Sequence, residues 1–168
     1  MSTIHELGDV LRARRTEMGL SQARVAVLSG LSRQTVNQVE TGAVPDLGLN
    51  KAERLAAVLG LALRVDEGRP ASVRARGRMT PLARAAATAS VSYKSPIAGT
   101  ALKKVLATGK VPARYIPHVH AFLDDAPVSL LAAVAAQLHD ETEISRDAVW
   151  KNYRNLAGEV KSKRGIWE

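Results

Sequence analysis

The chain contains no cysteine. That excludes a disulfide framework and any thiolate metal site. It also lacks an apolar run approaching the roughly 20 residues of a membrane span, so no membrane partner is expected. Its start, MSTIHELGDV, has no basic region followed by an apolar core. No secretion signal is read there, and the expected location is cytoplasmic. Glycine-rich phosphate loops and nucleophile motifs are missing, and no internal repeat is seen, so no catalytic residues, cofactor or enzyme activity are expected. Acid is missing from a whole third of the chain: residues 68–123 hold ten Lys and Arg and no Asp or Glu. Residues 1–67 hold eight of each sign, and residues 124–168 hold six basic against eight acidic side chains. The net charge of +8 therefore comes from the middle. A polyanion is the partner such a footprint fits, beside the plainer reading of a solvated basic surface.

The apolar fraction, 46% of 168 residues, is ample for a core in one or two small domains. Its clearest pattern lies between Leu20 and Gly42, LSQARVAVLSGLSRQTVNQVETG. Ser21 can cap a helix from Gln22 to about Ser29, because its hydroxyl accepts an orphan backbone N–H. Gly30 supplies the left-handed backbone of a sharp helix end. Ser32 caps a second helix, Arg33 to Glu40, and Gly42 ends it. Val25, Ala26, Leu31, Val36 and Val39 give both helices an apolar inner face. Arg33, Gln34, Thr35, Asn37 and Gln38 remain outside, and such side chains hydrogen-bond to base edges. Two short helices joined by a glycine turn form the helix-turn-helix unit.

The run S-Q-x-x-V-A-x-x-S-G-L-S-R-Q-T-V-N-Q-V-E-T-G resembles the Cro/C1-type, or Xre, helix-turn-helix repressors. The resemblance spans about Ile4 to Leu61. It departs from the family at Arg24, where an acid is usual three residues after the cap; the capping box is thereby lost. The resemblance implies double-stranded DNA as partner, with Arg33, Gln34, Thr35 and Gln38 as base-contacting residues and Asn37 as a further candidate. Gln22, at a helix N-terminus, is placed to clasp a phosphate. It also implies an ion pair between Arg15 and Glu40 beneath the reading helix.

A first helix is expected from Ile4 to Met18, capped by Thr3, with Ile4, Leu7, Val10, Leu11 and Met18 on one face. A later one runs from about Leu47 to Leu59, with Leu49, Ala52, Leu55, Ala56 and Leu59 inward. Leu61–Val65 then resembles the short strand of the HipB-like antitoxin branch, which pairs with its twin across a homodimer; a helical extension is the alternative. Residues 66–79 read as a basic linker in which Arg69, Arg74, Arg76 and Arg78 run along phosphates or enter a minor groove, with a plain solvated tether as the alternative. Beyond it, Thr80-Pro81 and Ser95-Pro96 open helices over Leu82 to about Val91 and Ile97 to Thr108. Pro112 and Pro117 cut the next stretch and leave a short helix around His118 to Leu123; Pro127 opens Val128 to Leu138, and Ser145 caps a last helix from Arg146 to about Lys161, which completes an all-α second part. The fold class is thus all-α: a five-helix-type Cro/C1 domain over residues 1–65, with one optional dimerising strand, and a helical bundle over 80–168.

His118 and His120, two residues apart, do not share a helix face, so no metal site is expected. Asp124-Asp125 and Asp140-Glu141 read as solvated helix-end charges rather than acid–base partners. Trp167 is expected to dock on its own domain, with docking on a partner as the alternative. The function expected is a DNA-binding repressor on a palindromic operator, the antitoxin of a toxin–antitoxin pair with a cognate toxin as partner. The alternative is a free-standing regulator whose second part dimerises or senses a ligand.

Overall fold

The computed structural model describes residues 3–64, 79–93 and 95–168. Nine α-helices occur there, and most of their ends lie where local chemistry places them. The first four are α1 (Thr3–Glu17), α2 (Gln22–Ser29), α3 (Arg33–Glu40) and α4 (Leu49–Val58). Ser21 Oγ accepts the Arg24 amide at 3.0 Å, and Ser32 Oγ accepts that of Thr35 at 3.0 Å. Gly30 turns the chain at φ 66°, a conformation that a Cβ disfavours. The next five are α5 (Pro81–Ser90), α6 (Gly99–Thr108), α7 (Ile116–Asp125), α8 (Val128–Thr142) and α9 (Arg146–Glu159). Short 3-10 turns sit at Ala113–Tyr115 and Gly165–Trp167.

Several details differ from expectation. Thr3 is the first helical residue of α1 rather than its cap. Ser145 occupies the cap position of α9 without donating or accepting a capping bond through its side chain. Pro117 lies in the first turn of α7, where a missing N–H is tolerated, instead of cutting the helix. Ahead of α4 the buried leucine is Leu47, just before the helix, while Leu49 is 68% exposed. The Gly48 amide bonds back to Asp46 Oδ1 at 3.1 Å, an Asx turn that delays the helix by two residues. Val10, expected on the inner face of α1, is half-exposed because Leu7, Leu11 and Met18 already fill the seam. Residues 61–64 form no strand, since a strand needs a ladder and a single copy offers none. Val65 and the arginines of the linker lie outside the described residues.

The α5–α9 bundle is built mainly from α5 against α7 and α8, and α9 against α6 and α8. Its core is aliphatic and alanine-rich. Of the six aromatic residues in the chain, four gather on α9 and its surroundings. Tyr153 stands edge-on to Phe122 at 6.1 Å and to Trp150 at 5.3 Å between centroids, and Trp167 lies 6.4 Å from it. The C-terminal tryptophan thus docks on its own bundle.

The helix-turn-helix part and the bundle share one apolar cluster. Trp150 Nε1 of α9 donates to Glu17 Oε1 of α1 at 3.2 Å, and the Arg154 guanidinium donates to the Met18 carbonyl. At Gly60 (φ 66°) a Cβ would stand 2.7 Å from the Val128 carbonyl carbon, so glycine lets the end of α4 meet the start of α8. On the far side, Arg24 Nε donates to the Gly165 carbonyl at 2.7 Å, and Arg24 Nη2 pairs with Glu168 Oε2 at 2.7 Å. Arg24, the residue that breaks the capping pattern, thereby clasps the C-terminal turn to α2.

Candidate nucleic-acid interface

The amphipathic pattern of α3 makes one side core and leaves the other polar. Val36 and Val39 are buried against α1 and α2. Arg33, Gln34 and Asn37 are exposed, and Thr35 and Gln38 are half-buried at the edge of that face. The bundle touches the C-terminal end of α1, the α4–α8 approach and α2 at Arg24, so the outer face of α3 stays open. The Thr35 hydroxyl is shared with Ser32 Oγ at 2.8 Å, which ties it to the helix start.

Beneath this face lies a polar network that sets how α3 is held. Arg15 forks onto Glu40, with Nε to Oε1 at 2.6 Å and Nη2 to Oε2 at 2.9 Å. Its Nη1 donates to the Leu20 carbonyl at 2.8 Å. The ion pair implied by the family resemblance is therefore present. Burial drives the Glu40 pKa up, but hydrogen bonds from Arg15 and Gln22 and the charges of Arg15 and Arg12 outweigh it. Together they hold the carboxyl below its ordinary value. Gln22 Nε2 donates to Glu40 Oε2 at 2.9 Å and to Asn37 Oδ1 at 3.3 Å. The Gln22 NH₂ group is thus turned inward, bracing α2 against α3. The periodicity of the sequence does not reveal that bracing role, because Gln22 and Glu40 are far apart along the chain.

The remaining candidates fall elsewhere. Arg74, Arg76 and Arg78 lie outside the described residues. His118 Nε2 contacts the Ser95 carbonyl at 2.7 Å, and His120 Nε2 lies 3.3 Å from Asp124 Oδ2, so the two rings serve different partners. Of the cations in the acid-free third, Lys103 pairs with Glu141 at 2.7 Å across α6 and α8. Among the described residues no single helix is long and apolar enough to cross a membrane.

Residues 6–67 match a family of known proteins described as a helix-turn-helix domain. No curated protein and no solved structure matches the chain. The matched span covers α1 to α4, with the exposed polar row of α3 and the Arg15–Glu40 brace inside it. Residues 6–67 are therefore similar to helix-turn-helix domains, a kind of unit that places one helix in the major groove of DNA.

Proposed function

We propose that the protein is a sequence-specific transcriptional repressor that binds a palindromic operator as a cytoplasmic homodimer and acts by binding alone, not by catalysis. The observation that carries this is the open polar row Arg33, Gln34, Thr35, Asn37 and Gln38 on a helix otherwise packed into the domain. Such a helix presents its N-terminal residues to the major groove. Arg33 suits guanine and Gln34 adenine by bidentate geometry. The test is Gln34→Ala, read as binding to the selected site and to random DNA. A loss of about 1–3 kcal/mol on the cognate site alone supports base reading. An equal loss on both DNAs refutes it.

The finer reading is an antitoxin of the HipB-like branch that represses its own operon and presents its bundle to a toxin. A second reading, favoured by a cavity in the bundle, is a free-standing regulator whose second part takes a ligand. Co-expression with the neighbouring gene separates them: relief of growth arrest supports the antitoxin, and a harmless neighbour removes it.

A further inference from the structure

We infer that the groove between α6 and the segment that leads from it through the 3-10 turn Ala113–Tyr115 is a binding site for a small amphipathic anion, an apolar body carrying one carboxylate. This deepens the ligand-sensing reading above and rests on it. The cavity measures about 810 Å³, within the several-hundred to roughly 1,000 Å³ of small-molecule sites. Ala101, Val105, Val111, Pro112 and Tyr115 give it an apolar floor. Lys104, Lys110 and Arg114 stand around that floor. No carboxylate lines the cavity, and the chain has none anywhere between residues 68 and 123. Among the described residues these three cations make no ion pair, whereas the neighbouring Lys103 is paired with Glu141.

The Thr108 hydroxyl of the wall is already satisfied: its Oγ1 donates to the Lys104 carbonyl at 2.7 Å. The Arg114 guanidinium lies 4.5 Å from the centre of the Tyr115 ring, which holds a cation at the rim beside an apolar face. Apolar floor and unpaired cations together select a ligand with both properties. A bare inorganic anion would leave the floor empty, and a neutral hydrocarbon would leave the cations unused.

The site is linked through α9 to the seam with the helix-turn-helix part. Asn152 Nδ2 of α9 donates to the Leu106 and Ala107 carbonyls at 3.1 and 2.8 Å, tying the end of α6 to α9. Trp150 and Arg154 of the same helix hold α1. A ligand that shifts α6 therefore acts on the helix that carries the reading head.

The test uses the full-length protein, with 1-anilinonaphthalene-8-sulfonate as fluorescent probe and decanoate as competitor. Saturable probe fluorescence, displaced by decanoate and much less by decanol, is expected. The double variant Lys104→Glu, Arg114→Glu changes exposed side chains and should weaken decanoate by about tenfold or more, while Lys104→Arg, Arg114→Lys retains it. Equal displacement by decanol, or an unchanged decanoate affinity in the charge-reversed variant, overturns the site. Co-sedimentation with phosphatidylglycerol vesicles that is lost in the same variant overturns it in favour of a membrane surface. No DNA is present, so failure here is distinct from failure of the repressor reading.

Discussion

Replacing Arg15 by alanine tests whether the brace under α3 is a buried ion pair in energetic terms. The Glu40 side chain is 4% exposed and that of Arg15 15%. Removing the guanidinium deletes both bonds to the carboxylate and leaves it buried, with the Gln22 amide as its remaining close donor. Breaking one partner of such a pair costs about 3–5 kcal/mol, a large share of the roughly 5–15 kcal/mol of a typical domain. Gln22 and the charge of Arg12 place the expected loss toward the lower end. Glu40→Gln keeps two hydrogen-bonding atoms and should cost less, about 1–3 kcal/mol. Replacing both together, Arg15→Met with Glu40→Leu, should lie closer to wild type than either single change, because no charge is then stranded. The pH dependence carries a sign. In the wild type the folded Glu40 pKa lies below its ordinary 4.5. Its stabilisation is therefore complete above the unfolded carboxylate range and is lost as pH falls through the lowered folded value. Without Arg15, burial is the larger influence, so the carboxylate is a liability at pH 7 that protonation relieves. Urea unfolding at neutral and acidic pH should show the Arg15→Ala deficit shrinking on acidification. A deficit below about 1 kcal/mol at neutral pH, the worth of an exposed pair, or one that does not change with pH, would refute the reasoning.

Arg24→Glu should restore the acid of a capping box to α2 but release the C-terminal turn, for a net loss of about 1 kcal/mol. Acrylamide quenching reads the release, since Trp150 is 1% exposed and new quenching must come from Trp167; unchanged quenching counts against the clasp. Trp150→Ala should cost about 3–5 kcal/mol. Because Trp150 also meets α1, the helix-turn-helix part and the bundle should melt together less sharply, and a single unbroadened transition in calorimetry would argue otherwise. Replacing Arg74, Arg76 and Arg78 by alanine should flatten the slope of log K against log salt on operator DNA by about one per lost phosphate contact, with site preference kept. An unaltered slope removes the linker from the DNA interface.

Local chemistry made the helices readable from sequence. Caps at Ser21, Ser32 and Thr80, the turn at Gly30 and the apolar stripes of α3, α8 and α9 act within a few residues, so periodicity and cap chemistry suffice. The exposed polar row of α3 was legible for the same reason: its outer positions are defined by the inner ones. The Arg15–Glu40 pair became legible through the family pattern, because its partners sit on different helices. Register at the ends was less secure. An Asx turn at Asp46 exchanged Leu47 for Leu49, and competition for one seam pushed Val10 outward.

The tertiary structure alone decided how the two halves meet. Arg24 stood out in sequence as an anomaly, but its partners Gly165 and Glu168 lie more than 140 positions away, and no local pattern encodes such a distance. The same holds for Trp150 with Glu17, and for the close approach of the start of α8 to Gly60. A groove is likewise a property of surfaces brought together: Lys104, Lys110 and Arg114 read as a dispersed positive charge until α6 and the 3-10 turn that follows it place them around one apolar floor. Sequence determined the elements and the chemistry of each face, because both follow from nearest neighbours along the chain. Packing determined which faces meet, because that depends on shape and on partners brought close by folding rather than by position.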